Sequence, residues 1–439
     1  MITEMMLQKL HISELNAMQQ EAFDAILRGR QDVVVLSPTG SGKTLAYLLP
    51  LAQMVEADSD AVQALVIVPG RELALQSCQV LQSMGAGLRA AACYGGRAAM
   101  DEHRKLRELK PQIVFGTPGR LNDHLDKDNI SPYKIRYVVI DEFDKCLEMG
   151  FHDEMSRLLK KLPGVQKRVL LSATDAEQIP GFVQLNRTTK LDYLMEEEQV
   201  SERVTLYEVK SPVKDKLETL RKLLCQLGDV QTIVFLNYRD SVERVADYLR
   251  HEGFALSAFH GGLEQKQRED ALYKFSNGSA NVLVSTDLAS RGLDIPDIEN
   301  IVHYHLPLNE QEMVHRVGRT ARWDKQGRTF FIVGPEETMP AFVEGDVEPF
   351  VLSLDTHQPP VPKMATVYIG KGKKDKISRG DIVGFLCKKG GVEPQEIGRI
   401  DVSERYSYVA VARPKLQQVL RMTKGEKIKG IRTVVEPVK

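Results

Sequence analysis

The stretch Val33-Val-Val-Leu-Ser-Pro-Thr-Gly-Ser-Gly-Lys-Thr44 decides the fold of this chain. An apolar run leads into a glycine-rich turn and then into amphipathic sequence, which is the strand, loop and helix context of a phosphate-binding loop. Backbone N–H groups of such a loop and the N-terminus of its helix attract phosphate. Ser37 stands where the general pattern has glycine, so a turn that only caps a helix is the alternative. The residues predicted to hold a nucleotide are Thr39, Gly40, Ser41, Gly42, Lys43 and Thr44.

Acidic residues follow a second apolar run in the same part of the chain. Val138-Val-Ile leads into Asp141-Glu-Phe-Asp144. Lys43 is predicted to reach the β and γ phosphates of ATP, and Thr44 and Asp141 are predicted to hold Mg²⁺. Glu142 would orient or deprotonate the attacking water. An acid-rich helix N-terminus is the alternative, but a position downstream of a phosphate loop favours a site for ATP and Mg²⁺.

An arginine cluster forms the third signal, Val314-His-Arg-Val-Gly-Arg-Thr-Ala-Arg322. Three guanidinium groups and an imidazole are costly to bury without partners. A solvated basic turn is the alternative. Arginine fingers explain the cluster better, because the charge on a γ-phosphate in the transition state needs guanidinium donors.

Short apolar runs alternate with helical patterns along most of the chain, which predicts parallel sheets covered on both faces. The pattern runs once through the first part of the chain and then begins again, so we expect an α/β fold with two similar lobes in tandem. The runs interpreted as strands are residues 33–36, 65–68, 113–115, 137–140 and 169–171, followed by 232–236, 255–259, 282–284, 301–305 and 329–333.

A proline-rich linker, Gln358-Pro-Pro-Val-Pro-Lys363, separates a third unit from the two lobes. Residues 366–369, 382–386 and 406–411 are predicted strands of this unit, with a helix near residues 414–422. The predicted domains are 1–196, 203–338 and 364–439, with 339–363 as the connecting segment. From Lys363 to Lys439 there are 18 Lys or Arg against 8 Asp or Glu, whereas the whole chain has 59 against 60. A basic tail on an acidic body indicates a polyanionic partner, with a solvated basic surface as the alternative.

Composition excludes several other classes of protein. The longest apolar stretch, near residues 45–55, is too short to cross a bilayer, and the N-terminus does not resemble a signal peptide. The five cysteines are odd in number and scattered, without a Cys-x-x-Cys pair. The cysteine pattern therefore predicts a reducing cytoplasm, without a disulfide framework or a zinc site. We also expect a monomer without a membrane partner.

In this order, the three signals resemble the motifs of the DEAD-box RNA helicases. Further motifs of that family follow one another from about residue 10 to residue 335. They are Gln19, the run from Pro69 to Gln76, Gly95-Gly96, Thr117-Pro-Gly-Arg120, Ser172-Ala-Thr174, Val234-Phe-Leu-Asn237, His260-Gly261, Gln265 with Arg268, and the run from Ser285 to Asp294. The resemblance implies two RecA-like lobes and an RNA-stimulated ATPase that opens short duplexes locally.

The same resemblance assigns roles to individual residues. Gln19 would read adenine and Asp294 would meet the ATP ribose. Arg319 and Arg322 would be the arginine fingers, and His315 would link them to Ser172 and Thr174, which couple hydrolysis to RNA. Contacts to the RNA backbone, which fix position without reading sequence, would come from Arg71, Gly95, Gly96, Thr117, Arg120, Gly261, Arg268, Thr286 and Arg291.

The chain departs from the family pattern at several positions. Phe143 replaces a small residue beside the Mg²⁺ site, Gly70 replaces a threonine and Ser290 replaces an alanine. We expect hydrolysis to survive, with repacking behind the site. The family's aromatic residue upstream of Gln19 is absent, and Gln20 is adjacent, so we expect weaker selectivity for adenine.

The tail contains tyrosines that could bind bases. Tyr406 and Tyr408 are two residues apart on a predicted strand and so share a sheet face, and with Tyr368 they could form an aromatic platform of the RRM type. The alternative is that one or more of these tyrosines pack in the core of the tail or against the α/β body. The tail also resembles the C-terminal domain of the bacterial DbpA helicases, in residues 370–384, Ile397-Gly-Arg-Ile400, Tyr408-Val-Ala-Val411 and Lys427-Ile-Lys-Gly430. This resemblance implies recognition of a hairpin of large-subunit rRNA. The predicted phosphate contacts are Lys371, Lys373, Lys374, Lys376 and Arg379.

Two other functions stay open at this level. An ATP-gated RNA clamp would bind without unwinding, and a DNA helicase would prefer DNA. Glu142, Arg319 and Arg322 favour turnover, and the family motifs and tail favour RNA.

Overall fold

A computed structural model describes residues 2–38, 40–96, 99–174, 179–194, 204–287, 298–320, 326–343, 346–353 and 358–438. Contacts divide the chain into two units, the first lobe up to Ser201 and a second unit that contains the second lobe and the tail. Among the described residues, no helix has both the length and the apolar character needed to cross a lipid bilayer.

The first lobe is built on a parallel seven-stranded sheet with strand order β3-β4-β2-β5-β6-β1-β7. Its central strands are buried on both faces, which explains why they read as continuous apolar runs. In the register of β1 and β6, Val35 pairs with Leu171. The strands are β1 (Asp32–Leu36), β2 (Ala64–Ile67), β3 (Ala90–Cys93), β4 (Ile113–Gly116), β5 (Tyr137–Ile140), β6 (Lys167–Ser172) and β7 (Thr188–Asp192).

Helices connect these strands, so that one hydrophobic cluster lies on each face of the sheet. The helices are α1 (Ile2–Lys9), α2 (Ala17–Leu27), α3 (Lys43–Met54), α4 (Arg71–Met84), α5 (Ala99–Leu109), α6 (Pro118–Asp126), α7 (Phe143–Glu148) and α8 (His152–Lys160).

The second lobe repeats the topology of the first. Its parallel sheet has the order β10-β11-β9-β12-β13-β8-β14, which is the first order shifted by seven strands. The strands are β8 (Val204–Lys210), β9 (Thr232–Phe235), β10 (Leu256–Phe259), β11 (Val282–Ser285), β12 (Asn300–His303), β13 (Gly327–Val333) and β14 (Val347–Pro349). Its helices are α9 (Leu217–Leu227), α10 (Arg239–His251), α11 (Gln265–Ser276) and α12 (Glu310–Val317). The predicted pair of parallel-sheet lobes is confirmed.

The tail is a small α+β domain on an antiparallel sheet of order β16-β17-β15-β20. It contains β15 (Met364–Ile369), α13 (Arg379–Phe385), β16 (Ile397–Val402), β17 (Ser407–Ala412), α14 (Leu416–Met422) and β20 (Val435–Pro437), with a two-stranded ribbon of β18 (Lys427–Ile428) and β19 (Ile431–Arg432).

One predicted strand of the tail is wrong. Residues 382–386 belong to α13 and the π-helical turn Leu386–Gly390 that follows it. Ser378 caps α13, since its side chain accepts from the backbone N–H of Asp381, and the Asp381 carboxylate accepts from the backbone N–H of Ser378. The buried residues Ile382, Phe385 and Leu386 therefore follow the spacing of a helix face.

Candidate functional site

The phosphate loop joins β1 to α3 at the carboxyl end of the first sheet. Gly42 has a φ of +87°, and a β-carbon there would lie 2.2 Å from Gln19 Nε2. Glycine is therefore required at this position both by the left-handed backbone and by the close approach of Gln19. Thr39 lies outside the described residues.

Gln19 is buried and bound to the phosphate loop. Its side chain forms a capping box with Asn16 at the start of α2, and its Nε2 donates to the Gly42 carbonyl at 3.2 Å. Asn16 Nδ2 donates to the Ser41 carbonyl at 3.0 Å. Gln20 instead bonds Asp24 on the exposed side of α2. Of the two adjacent glutamines, the structure brings Gln19 to the loop.

Lys43 is buried beneath the loop that it is predicted to serve. Its Nζ donates to the carbonyls of Ser37 at 2.5 Å and Pro38 at 2.7 Å. Asp141 follows β5 and is also buried. Burial raises the pKa of Asp141 to about 6, while the charge of Lys43 acts in the opposite direction.

Thr44 and Asp141 supply the oxygen donors predicted for Mg²⁺. Thr44 is half-buried in the first turn of α3, and Asp141 Oδ1 accepts from the Glu142 backbone N–H at 3.0 Å. A hydroxyl and a buried carboxylate at the ends of neighbouring structural elements fit a hard divalent cation. Glu142 itself has a left-handed backbone, with φ of +50°, at the turn into α7.

Two neighbours of this acidic turn extend the site. Thr174 Oγ1 donates to Asp144 Oδ2 at 3.2 Å, and Ser172 Oγ donates to the Thr174 carbonyl at 2.6 Å, which ties the predicted coupling motif to the acidic turn. Phe143 is buried in the core cluster behind it, where the expected repacking would lie.

Sequence reasoning missed Tyr47 in this site. It lies one turn after Lys43 on α3 and is fully buried. Burial, followed by the charge of Asp141, raises the pKa of the Tyr47 hydroxyl well above its usual value. Tyr47 could not be predicted as a site residue, because a tyrosine within an apolar helical sequence is expected to pack in the hydrophobic core.

In the first lobe, the predicted RNA contacts gather at the carboxyl ends of β2, β3 and β4. The Arg71 guanidinium covers Gly96, where a β-carbon would lie 2.6 Å from Nη1. Thr117 is at the N-cap position of α6, where its side chain makes no capping hydrogen bond, and Arg120 Nε donates to the Tyr94 carbonyl at 3.3 Å. Gly95 is exposed next to Gly96.

A buried glutamate that the sequence did not reveal holds Arg120. Glu102 Oε2 lies 3.1 Å from Arg120 Nε and 3.1 Å from His124 Nε2, and Glu102 Oε1 accepts from the Tyr94 backbone N–H at 3.2 Å. Cys93, Glu102 and His124 lie close enough together to suggest a metal site. Burial raises the pKa of Cys93, and Arg120 already satisfies the glutamate, so an ion-pair network describes the cluster better.

In the second lobe, Gly261, Arg268 and Thr286 meet at the carboxyl ends of β10 and β11. Arg268 is buried, and its Nη2 donates to the Gly261 carbonyl at 2.7 Å. The Thr286 backbone N–H donates to the Phe259 carbonyl at 3.3 Å. Arg291, Asp294 and Arg322 lie outside the described residues.

His315 lies in the last turn of α12 and Arg319 lies two residues after its end, and both side chains are buried. Between them, Arg316 was given no role by the sequence, and it is fully buried. It holds Asp287 through Nε at 2.5 Å and through Nη2 at 3.0 Å, and Nη2 also donates to Asn237 Oδ1 at 2.8 Å. Arg316 therefore ties the ends of β9 and β11 to α12 in one lobe.

The structure brings Tyr368, Tyr406 and Tyr408 together, with ring centroids 5.2–5.9 Å apart. However, α11 of the second lobe covers this face. Tyr406 donates to Glu269 at 2.5 Å and Tyr408 donates to Asp270.

Other contacts extend the same interface. The rings of Tyr273 and Tyr408 lie 4.4 Å apart, and Lys266 Nζ is 5.1 Å from the centre of the Tyr368 ring. Tyr408 is only 1% exposed. The expectation of an open stacking platform is therefore corrected, because in this arrangement the three tyrosines pack against the α/β body.

The predicted phosphate contacts of the tail lie elsewhere, from the end of β15 to the first residue of α13. Lys373, Lys374, Lys376 and Arg379 are exposed. Lys371 is half-buried and paired with Asp375 at 3.0 Å. Lys429 Nζ donates to the Lys376 carbonyl at 2.9 Å, which brings a further cation to this segment.

Three family models match the chain. They are described as DEAD/DEAH box helicase over residues 16–180, helicase conserved C-terminal domain over residues 215–324 and DbpA RNA binding domain over residues 366–437. The ATP-dependent RNA helicase DbpA of Escherichia coli (strain K12) is 34% identical over 445 residues, covering 97% of this chain and 94% of the relative. The protein of the same name from Bacillus subtilis (strain 168) is 30% identical over 462 residues, covering 97% and 95%.

Solved structures show the same architecture. Mss116p bound to ssRNA and AMP-PNP is 26% identical, with a TM-score of 0.69 over 76% of this chain and 72% of that chain. S. cerevisiae Dbp5 bound to RNA and ADP BeF3 is 24% identical, with a TM-score of 0.70 over 80% of this chain and 93% of that chain, and bears on the fold alone.

Proposed function

The chain belongs to the DbpA family of DEAD-box ATP-dependent RNA helicases, which are ATP-hydrolysing enzymes, and on this premise we propose that it unwinds short RNA duplexes locally during assembly of the large ribosomal subunit. The tail would recognise an rRNA hairpin, and the two lobes would act on a neighbouring duplex. We further propose that the protein works as a cytoplasmic monomer. The proposed domains are residues 1–196, 203–338 and 364–439, joined by 339–363.

Hydrolysis is proposed at the carboxyl end of the first sheet. There, Lys43 would bind the β and γ phosphates, and Thr44 and Asp141 would hold Mg²⁺, which neutralises charge on the phosphates. Glu142 would position the attacking water, while Arg319 and Arg322 would stabilise the transition state. One observation supports this proposal above the others. Gln19 and Lys43 both donate hydrogen bonds to backbone carbonyls of the phosphate loop, in the same lobe as the buried carboxylate of Asp141.

Binding of the RNA backbone is proposed on each lobe separately. In the first lobe, two guanidinium groups lie at the carboxyl ends of the strands. The Arg71 side chain lies over Gly96, and Arg120 forms an ion pair with Glu102. In the second lobe, the Arg268 guanidinium donates to the Gly261 carbonyl. Such contacts favour phosphate without reading sequence, so specificity is assigned to the tail domain, in which the exposed cations Lys373, Lys374, Lys376 and Arg379 would anchor the backbone of the selected hairpin.

Strand displacement tests the proposal against its two rivals. We expect the protein to displace a strand from a short RNA duplex when ATP and Mg²⁺ are present, and not from a DNA duplex of the same sequence. An RNA clamp would bind the RNA duplex and hydrolyse ATP without displacement, and a DNA helicase would act on the DNA duplex.

A further inference from the structure

Tyr238 is an exposed aromatic side chain at the carboxyl end of β9. Its exposed fraction is 64%. Among the large hydrophobic residues in the described part of the chain, one other exposed aromatic occurs, Tyr133, which is 77% exposed and lies before the amino end of β5. The two tyrosines therefore lie at opposite ends of the parallel strands that they adjoin, and only Tyr238 shares an edge with the proposed RNA contacts.

The backbone on which Tyr238 is mounted is fixed by its neighbours. The Asn237 backbone N–H donates to His305 Nδ1 at 3.1 Å, and Asn237 Nδ2 donates to the Leu306 carbonyl at 3.3 Å. Arg316 donates to Asn237 Oδ1 at 2.8 Å. Asn237 thus uses its backbone and both ends of its amide to hold this turn in place.

The Tyr238 ring is supported on one side. It meets the His305 ring edge-on, with centroids 5.8 Å apart and an angle of 66° between the planes. Burial lowers the pKa of His305 to about 4, so this ring is neutral at pH 7 and accepts from Asn237 through Nδ1. A supported ring with a large exposed area has little side-chain freedom left to lose when a flat ligand stacks on it.

A cationic side chain follows Tyr238 in the chain and approaches the backbone proposed to contact RNA. Arg239 is the next residue, and its Nη2 lies 3.3 Å from the position that a β-carbon on Gly261 would take. The Gly261 carbonyl accepts from Arg268 Nη2 at 2.7 Å. A phosphate held by these groups would place its own nucleotide near the turn that carries Tyr238.

We propose that Tyr238 stacks on a nucleobase of the RNA strand held by the second lobe. The inference rests on the proposed binding of RNA by this lobe and adds a contact to a base where the other proposed contacts are to the backbone. Stacking on an aromatic ring tolerates every base but requires that a base be present. Tyr238 would therefore fix the register of one nucleotide without reading its sequence.

RNA binding by variants of the full chain tests this. We would measure affinity for a fluorescent single-stranded RNA in the presence of a non-hydrolysable ATP analogue. Tyr238→Ala is expected to weaken binding by about 5- to 10-fold. Tyr238→Phe should bind as the wild type does, because it keeps the ring. Tyr133→Ala is the matched control, and it should leave affinity unchanged.

A second measurement changes the RNA instead of the protein and compares wild type with Tyr238→Ala. One base at a time is removed from the RNA, leaving the ribose and phosphate. At one position, removal of the base should weaken binding by the wild type about as much as the Tyr238→Ala substitution weakens binding to intact RNA. Removal of the same base should not weaken binding by Tyr238→Ala any further. Equal affinities for Tyr238→Ala and wild type, a Tyr238→Phe variant as weak as Tyr238→Ala, or no sensitive base position would overturn the inference. If the wild type itself fails to bind RNA, the proposed function fails instead.

Discussion

The side-chain amide of Gln19 donates a hydrogen bond to the backbone carbonyl of Gly42, 3.2 Å away. Gly42 immediately precedes Lys43, and Gln19 also caps α2 together with Asn16. The start of α2 and the phosphate loop are therefore one hydrogen-bonded unit. Substitution of either residue should therefore weaken the binding of a nucleotide to the loop.

Substitution of Gly42 by alanine should impair ATP binding more than it impairs folding. The left-handed backbone costs roughly 1–2 kcal/mol for any residue with a β-carbon, and at Gly42 the new carbon would also displace Gln19. Losing that bond should raise the KM for ATP about tenfold. Gly87→Ala is the control, since Gly87 has a φ of +75° with nothing within 4 Å of a β-carbon. Equal KM values for the two variants would contradict the link.

The dependence of activity on Mg²⁺ should change near pH 6. Burial raises the pKa of Asp141 to about 6, so protons compete with the metal ion for this carboxylate at lower pH. The Mg²⁺ concentration that gives half-maximal ATPase activity should stay constant above pH 7. It should then rise as the pH falls from 6 to 5, by up to about tenfold. A constant Mg²⁺ requirement from pH 5 to pH 7, in protein that stays folded, would argue against Asp141 as a ligand.

Arg316→Ala should destabilise the second lobe strongly. The substitution removes the hydrogen bonds that the fully buried Arg316 guanidinium donates to Asp287 and to Asn237 Oδ1, at a cost of about 3–5 kcal/mol. Arg244→Ala removes an ion pair with Asp215 in which both side chains are more than half exposed, and should cost less than about 1 kcal/mol. Urea unfolding of both variants gives the comparison, and similar losses would show that the buried network contributes little.

The contact between the tail and α11 should depend on the Tyr408 hydroxyl. Burial raises the pKa of Asp270, and Tyr408 donates to that carboxylate. Tyr408→Phe leaves the half-buried Asp270 carboxylate without this donor, at a cost of about 1–3 kcal/mol.

Hydrogen exchange would show this as faster exchange of the amides in α11 and β17. Tyr368→Phe is the control, because its ring contacts Lys266 through the aromatic face, which phenylalanine keeps. Unchanged exchange in Tyr408→Phe would mean that apolar packing, such as that of Tyr273 on the same ring, holds the interface without the hydrogen bond.

The central strands of both lobes could be predicted because parallel strands buried on two faces read as apolar runs. Strands β3 and β7 could not be predicted in this way, each for its own reason. Ala90–Cys93 is made of small residues, and Thr188–Asp192 is a partly exposed edge strand with polar residues. Residues 382–386 are nearly all apolar, and a run this short does not distinguish a strand from a buried helix. Only the Ser378 cap marks the start of α13.

The candidate site followed from motifs where its residues are close in sequence. Gln19, Lys43 and Asp141 lie on separate elements, but each occurs in a recognisable motif, so their association could be anticipated. Glu102 lies in none of these motifs, and Arg316 lies in the arginine cluster, but the partners of both residues are distant in sequence, so their roles could not be predicted. The tyrosine cluster could be predicted from its period of two, whereas its cover, α11, belongs to another domain.

The most direct test of the account is steady-state ATPase activity with no RNA, with generic RNA and with a large-subunit rRNA hairpin fragment. Wild type is compared with a Lys373→Ala, Lys374→Ala, Lys376→Ala triple variant, and Glu142→Gln provides the inactive control. The account predicts that the rRNA fragment stimulates the wild type far more than generic RNA does, and that the triple variant loses this extra stimulation but keeps its response to generic RNA. Equal stimulation by every RNA in both proteins would contradict the role of the tail, and an ATPase indifferent to RNA would contradict the proposed function.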